Sequence, residues 1–245
     1  ASIGYTDQQG TLKGSSYDRG TLDLSLSPNF FDKHLTINLN GKGVYTYSNY
    51  VDGGVVGNGA FFNPTIDPYW RNEDGTVDYT TTNGFWNYGG GRGEQFTQST
   101  LMGISPLSQL YDKVMNERGL RFIGNAAIDY KVHGFEALRF NVSLGMDYSF
   151  GKKYDGVNPG SYQAWADTNK NVINIAGQGV GQYSLGYEQR KSTALEAYAN
   201  YNETWGIHNL DVMVGYSWQH FFGMSNSKSF INISNELKPN DGGYP

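Results

Sequence analysis

The chain has 245 residues, no cysteine and a formal net charge of −5. Without cysteine it forms neither disulfide bonds nor thiolate metal sites, and its net negative charge gives no electrostatic reason to expect nucleic-acid binding. Charged residues make up 17% of the chain and aromatic residues 15%. This composition argues against disorder, because disordered chains are poor in aromatic residues and high in net charge.

Alternation of apolar and polar residues predicts antiparallel strands that have one apolar and one polar face. In the first part of the chain it predicts a short strand over 2–5 and a longer one over 21–27. Pro28 ends the second strand, because proline cannot donate to the hydrogen-bond ladder. A tight connection then leads to an alternating run over 35–47, so the two longer runs predict a hairpin.

Residues 50–117 lack this alternation and are rich in glycine, asparagine and aromatic residues. Near the end of this segment, Ser105 is a typical N-cap residue and Pro106 a typical first helical residue, and Gly119 is placed to end the helix. A connection of this length is unusual inside a compact domain, and long loops are often functional.

The second half of the chain repeats the strand pattern. Alternation resumes over 120–132, and in the run 138–150 every even-numbered position is apolar. A run of this length is enough to cross a bilayer as a tilted strand. Weaker alternation over 192–203 and clear alternation over 210–218 predict the last two strands.

Tight and long connections alternate along the chain, with long loops near 50–117, 151–186 and 223–245. This order predicts an all-β fold, an antiparallel up-and-down meander that is part of a large transmembrane β-barrel with long extracellular loops. Aromatic residues near both ends of the strands fit the two girdles of such barrels. Seven predicted strands are an odd number for a bacterial barrel, so we expect the whole chain, 1–245, to be a partial, interior piece of one.

Three stretches, 4–19, 26–50 and 121–151, resemble the barrel of SusC-like TonB-dependent transporters of Bacteroidetes. The similarity extends over most of residues 1–222 and includes turn positions. It implies active uptake of a glycan or oligosaccharide, or of a peptide, across the cell outer membrane, without enzymatic activity and without a cofactor. The implied partners are a SusD-like surface lipoprotein, outer-membrane lipid and the TonB complex, which such transporters contact through N-terminal parts not found in this sequence.

Aromatic rings in the loops are the best candidates for substrate binding, because aromatic faces stack on sugar rings. The candidates are Trp70, Trp86, Tyr88 and Trp165. The alternative is that these rings pack one loop against another or against a partner protein, since aromatic residues are also common at interfaces.

Charged residues of both signs occupy the predicted polar faces of the strands, and we expect most of them to pair with one another or with a plug domain. They are Asp23, Lys42, Arg121, Asp129, Lys131, Arg139, Asp147, Glu196 and Asp211. Asp167, Asn169 and Asn171 have the spacing of a calcium loop, but valine and glutamine stand where glycine and glutamate are required. No metal site is therefore predicted.

Two other classes of protein fit the strand pattern. The first is a soluble all-β carbohydrate-binding or adhesin module, in which the apolar faces meet in a sandwich. The second is a glycoside hydrolase, but no nucleophile elbow, phosphate loop or zinc signature occurs, and nothing selects a catalytic pair of carboxylates. A requirement for detergent separates the transporter from the soluble module.

Overall fold

A computed structural model describes residues 1–92, 97–99, 103–165, 181–233 and 236–239. Within these ranges the main feature is one antiparallel sheet, and its seven long strands are named the wall. They are β1 Ser2–Gln9, β2 Ser16–Leu26, β4 Leu35–Tyr50, β7 Lys113–Lys131, β8 Leu138–Val157, β9 Gly181–Trp205 and β10 His208–Ile233. Short strands are β3 Asn29–Phe30, β5 Gly89–Gly90, β6 Thr97–Gln98 and β11 Glu236–Pro239. Helices are α1 Gly54–Phe61, α2 Pro106–Asp112, α3 Tyr162–Trp165 and a 3-10 turn, Thr82–Gly84.

The strands of the wall pair in chain order. The sheet runs β1-β2-β4-β7-β8-β9-β10-β11, with β3 paired on β4, and every pair is antiparallel. The predicted up-and-down meander is confirmed. Within the described residues the sheet is open, because β1 and β11 lie at its two edges.

The wall strands extend beyond the predicted ranges, mainly at the end where the long loops join. β8 continues to Val157, β9 begins at Gly181, and β10 continues to Ile233, inside the segment 223–245 that we expected to be a loop. The reason is that alternation predicts a strand only where one face is apolar. Beyond the predicted ranges apolar residues no longer occupy every second position, yet the backbone ladder continues.

The helix before β7 is shorter than predicted. Ser105 is its N-cap and Pro106 its first residue, as expected, but the Ser105 hydroxyl makes no capping hydrogen bond. The helix ends at Asp112, and Gly119, predicted to end it, lies inside β7. The strand ladder with β4 and β8 competes with the helix for the backbone of 113–119, and the ladder prevails.

The two faces of the wall differ in chemistry. Most large apolar side chains of the wall lie on one face and stay exposed, for example Leu144 at 52% and Leu120 at 54%. Ile123, Met213 and Phe221 are exceptions, because the strand register places them on the other face. The other face carries charged and amide side chains, such as Asp147 and Arg121. The buried hydrophobic side chains of the described residues, Trp70, Tyr162 and Ala164, lie outside the wall. No helix in the described part of the chain is long and apolar enough to span a membrane.

Candidate functional site

Apart from Ser48 of β4, the buried side chains of the described residues lie in the connections at one end of the wall. The described residues of 51–112 and 158–165 pack together there, and we name them the loop cluster. Tyr162, 1% exposed, and Trp70, 9% exposed, form its apolar centre, with Trp86 and Ile104 packed against them. The sequence-predicted candidates therefore lie at the one place where the described chain has a core.

A small hairpin divides the aromatic residues of the long loop between two sides. Tyr69 and Phe85 form an antiparallel bridge, and the Trp70 amide donates to the Gly84 carbonyl at 2.9 Å. Since side chains alternate along an extended backbone, Tyr69 and Phe85 point away from the side taken by Trp70 and Trp86. One group of rings faces the core, and the other remains accessible.

Three of the four predicted candidates meet on the core side. The ring centroids of Trp70 and Trp86 are 5.9 Å apart, and Trp86 meets Tyr88 edge to face at 4.7 Å. Trp70 Nε1 donates to Thr82 Oγ1 at 3.0 Å, and the Arg92 guanidinium lies 5.1 Å from the Trp70 ring centroid. Trp70 thus packs one part of the loop on another and has little ring surface left for a ligand. Trp86 and Tyr88 are half-buried and keep more.

The fourth candidate, Trp165, is the last residue of α3, in the second loop. Its backbone follows the buried residues Ser161, Tyr162 and Ala164, which places it beside the core of the loop cluster in sequence. Its side chain lies outside the described residues. Whether Trp165 joins Trp86 and Tyr88 therefore stays a prediction.

An aromatic stack lies on the side of the hairpin away from Trp70 and Trp86, and the sequence did not predict it. Phe85 lies 5.8 Å from Tyr69 and 5.8 Å from Tyr111, whose ring is nearly parallel to it at 8°. A cation closes each end, since the Lys13 ammonium lies 5.4 Å from the Tyr111 centroid and the Arg71 guanidinium 5.5 Å from that of Tyr69. Lys13 Nζ also donates to the Tyr111 hydroxyl at 2.8 Å, which raises the pKa of Lys13. Tyr111 is 44% exposed, so part of this stack remains in contact with solvent.

A buried carboxyl group ties three segments of the loop cluster together. Asp112 is 3% exposed and accepts hydrogen bonds from Asn83 Nδ2 and Ser108 Oγ, both at 2.8 Å. Asn83 Nδ2 also donates to the Pro159 carbonyl of the second loop at 3.0 Å. Burial raises the pKa of Asp112 to about 6, and the two hydrogen bonds oppose that shift. The carboxyl group therefore titrates close to neutrality at the joint between both loops and β7.

An ion pair closes the base of the long loop. Lys113 Nζ lies 2.9 Å from Asp52 Oδ2, and both side chains are about a quarter exposed. The hydrogen bond from Lys113 lowers the pKa of Asp52. Nearby, Asn58 Nδ2 donates to Gln109 Oε1 at 2.7 Å and joins α1 to α2. These contacts hold the two ends of the loop at the same edge of the wall.

Charged residues on the polar face pair with one another, one of the two arrangements expected. The ion pairs are Lys42–Asp23 at 3.2 Å, Arg121–Asp147 at 2.6 Å and Arg139–Asp129 at 3.3 Å. Asp211 accepts hydrogen bonds from Asn200 and Asn202. A groove of about 520 Å³ opens on this face, and its charged lining residues are Arg19, Lys42, Arg121, Arg190, Glu117 and Glu188.

No cluster of three or more histidine, aspartate or glutamate side chains that could hold a metal ion occurs among the described residues. The calcium-like spacing of Asp167, Asn169 and Asn171 lies outside the described residues. The described side chains of the loop cluster contribute aromatic rings, amides and ion pairs.

The sequence was compared with known proteins and protein families. No family model matches the chain. The TonB-dependent receptor SusC of Bacteroides thetaiotaomicron is 31% identical over 230 residues, which cover 90% of this chain and 21% of SusC. The chain is SusC-like. It spans about a fifth of the length of this curated relative.

A solved structure agrees with the SusC-like fold. The RagAB peptide importer in its closed-closed state matches 94% of this chain and 27% of the importer chain, with a TM-score of 0.52. Sequence identity is 11%, so this likeness concerns the fold alone. The open meander of the SusC-like chain accordingly corresponds to part of a larger barrel.

Proposed function

We propose that this SusC-like chain, 1–245, is part of the barrel domain of a TonB-dependent transporter that takes up a nutrient across the outer membrane. The observation that carries the proposal is the exposed apolar face of the wall, which continues from strand to strand opposite a face of paired charges. Soluble proteins rarely expose apolar patches of this extent, whereas a barrel in lipid requires them.

The comparisons support the same function in coarser form. SusC is a TonB-dependent receptor, and RagAB is a peptide importer. Because the chain spans about a fifth of SusC, the activity and partners of the whole protein are inferred from these relatives. We infer a SusD-like surface lipoprotein over the loops, the TonB complex, and outer-membrane lipid against the apolar face. We infer no enzymatic activity.

We propose a glycan or oligosaccharide as the substrate, with a peptide as the alternative because RagAB is a peptide importer. Support for a sugar comes from aromatic surface in the loop cluster. Trp86 and Tyr88 are half-buried, and Tyr111 of the Tyr69–Phe85–Tyr111 stack is 44% exposed. Trp165 remains a candidate from its place in the second loop.

Cell fractionation of the full-length protein tests the location. We expect the protein in the outer-membrane fraction, released only by detergent, and loss of labelled nutrient uptake when its gene is deleted. A full-length protein that is soluble without detergent would favour the carbohydrate-binding or adhesin module instead. Hydrolysis of a glycan by the purified protein would favour the glycoside hydrolase.

Binding by variants of the full-length protein tests the substrate site. Tyr88→Ala and Tyr111→Ala are expected to weaken oligosaccharide binding by about tenfold, because each removes an aromatic contact. Phe61→Ala is the matched control, since Phe61 lies in the same loop and is 90% exposed without a ring partner among the described residues. Equal affinity in all three variants would exclude these rings from the site.

A further inference from the structure

Two cations lie side by side on the apolar face of the wall, at the end where the long loops join. Arg118 of β7 and Lys152 of β8 are directly opposite each other in the ladder. Paired positions in an antiparallel sheet project to the same face, so the two side chains are neighbours. Like charges directly opposite each other destabilise a sheet. A second interaction must therefore favour this pair.

The flanking positions of the same row are tyrosines. Tyr47 is opposite Arg118 on one side, and Tyr187 is opposite Lys152 on the other. The Arg118 guanidinium lies 5.4 Å from the Tyr47 ring centroid, and the Lys152 ammonium lies 5.6 Å from that of Tyr187. Each cation therefore contacts its own tyrosine. Cation–π contact holds both side chains but leaves both charges unneutralised.

Carboxylates of the neighbouring residues do not reach the pair. Glu117 directly precedes Arg118, and Glu188 directly follows Tyr187. Because side chains alternate along a strand, both glutamates project to the opposite face. Asp18 shares the row but lies beyond Tyr47, two strands from Arg118, and it accepts a hydrogen bond from the Tyr5 hydroxyl. Among the described residues, neither Arg118 nor Lys152 forms an ion pair.

A cavity lies between these side chains. It has a volume of about 350 Å³ and is lined by Asn116, Arg118, Lys152, Tyr154 and Leu185. Two cations and an amide supply hydrogen-bond donors, and Leu185 supplies an apolar wall. Two adjacent cationic donors suit an anion with several acceptor oxygens, such as a phosphate group.

The position of the cavity identifies the source of the phosphate. The next row toward the middle of the wall on the same face contains Tyr45, Leu120 and Phe150. Rows of one face are about 7 Å apart along a strand. The cations therefore lie one row beyond these three apolar side chains, at a height that suits lipid headgroups beside an aromatic girdle.

We propose that Arg118 and Lys152 bind the phosphate headgroup of a membrane lipid in the leaflet next to the long loops. The inference rests on the proposed outer-membrane function. It adds a specific lipid site, built from two strands of the wall, to a face otherwise in contact with acyl chains. The lipid phosphate neutralises a pair of charges that the protein itself leaves unpaired.

Native mass spectrometry of the full-length protein in detergent tests the site, with lipid A as the probe. The wild-type protein is expected to retain lipid A but not lipid A from which the phosphates have been removed. The double variant Arg118→Gln/Lys152→Gln is expected to bind lipid A at least about tenfold more weakly, since two charge-assisted contacts are lost. Millimolar inorganic phosphate should not displace the lipid, because the acyl chains contribute to its binding.

Lys153→Gln is the matched control. Lys153 is the next residue, is also exposed, and projects to the polar face, so its loss should leave lipid retention unchanged. Equal retention of the two forms of lipid A, equal losses in Lys152→Gln and Lys153→Gln, or displacement by inorganic phosphate would each overturn the lipid site. These results leave the transporter proposal intact if the protein still fractionates with the outer membrane. A protein found outside the membrane would overturn both.

Discussion

The wall and the loop cluster follow opposite rules of burial. In the wall, large apolar side chains are exposed on one face, and the strands are held by ladder hydrogen bonds and cross-strand ion pairs. In the loop cluster, Trp70 and Tyr162 are buried together with polar side chains, among them Asn87, Ser108 and Asp112. The wall thus depends on its surroundings to cover it, whereas the loop cluster supplies its own interior.

This difference separates two kinds of stability in one chain. The wall is stable when an apolar environment covers its apolar face. A polar substitution on that face therefore lowers the stability of the wall in a membrane. The loop cluster is stable because its buried polar groups are hydrogen-bonded to one another. A substitution there therefore destabilises the loop residues around it. Substitutions confined to one region distinguish the two kinds of stability.

Trp70→Ala should open the loop cluster and leave the wall intact. Removing a buried tryptophan typically costs about 3–5 kcal/mol, and here it also leaves Thr82 without the indole donor. Hydrogen exchange of the full-length protein should speed up in 51–112 and stay unchanged in β8 and β9. Phe61→Ala, which truncates an aromatic residue that is 90% exposed in the same loop, is the control. Faster exchange throughout the wall would contradict two separate kinds of stability.

Leu144→Arg should impair assembly of the wall in a membrane. Leu144 is 52% exposed on the apolar face of β8, and an arginine at the middle of a lipid-facing strand costs about 2–4 kcal/mol. Unfolding by urea in lipid vesicles measures the loss. Ser143→Arg is the matched control, because the adjacent residue projects to the polar face and should tolerate the charge. Similar losses in both variants would mean that lipid does not cover the apolar face.

Sequence alone predicts the wall well for a physical reason. From Leu138 to Phe150 the side chains alternate between apolar and polar, so the face of each residue follows from its number. The pattern fails from Gly151 onward, because Lys152 and Lys153 are both polar although they lie on opposite faces. The ladder to β9 continues through them to Val157. The alternating pattern therefore does not predict the strand ends that extend beyond the apolar rows.

The loop cluster was predictable only in part. Aromatic residues in a long loop predict substrate contact by Trp70, Trp86 and Tyr88, and the fold brings these three rings together. Nothing in the sequence indicates that Phe85 stacks on Tyr111, because the two are far apart in the chain and joined by no periodic pattern. Nor does the sequence indicate that Asn83 donates a hydrogen bond to Asp112. Contacts between loops depend on tertiary packing, which local propensity does not encode.

Asp112→Asn should remove a pH dependence of the loop cluster. The pKa of Asp112 in the folded protein, about 6, lies above its ordinary value of 3.8. Its contribution to stability is therefore complete below pH 3.8 and is lost as the pH rises through 6. Between pH 5 and pH 7.5 the wild-type loop cluster should lose roughly 1 kcal/mol of stability from this group. Hydrogen exchange of 103–112 at both pH values measures the loss.

The asparagine variant keeps an acceptor for Asn83 and does not titrate, so its exchange rates should show no such pH dependence once intrinsic rates are subtracted. Asp74→Asn is the control, because Asp74 is exposed and the hydrogen bonds from Thr76 lower its pKa, which places its titration in more acidic solution. An Asp112→Asn variant with the wild-type pH dependence would assign that dependence to another group.

Lys113→Met should have the smallest effect, and it lies where the wall meets the loop cluster. Lys113 is the first residue of β7, and its partly exposed ion pair with Asp52 should contribute no more than about 1 kcal/mol. The pKa of Asp52 is lowered by this contact, so its contribution is present at neutral pH and is lost as the pH falls through the folded pKa. Exchange in 51–61 should therefore rise slightly at neutral pH and match the wild type in acid. A larger rise that reaches β7 would mean that the ion pair couples the two regions, and that the loop cluster is not independent of the wall.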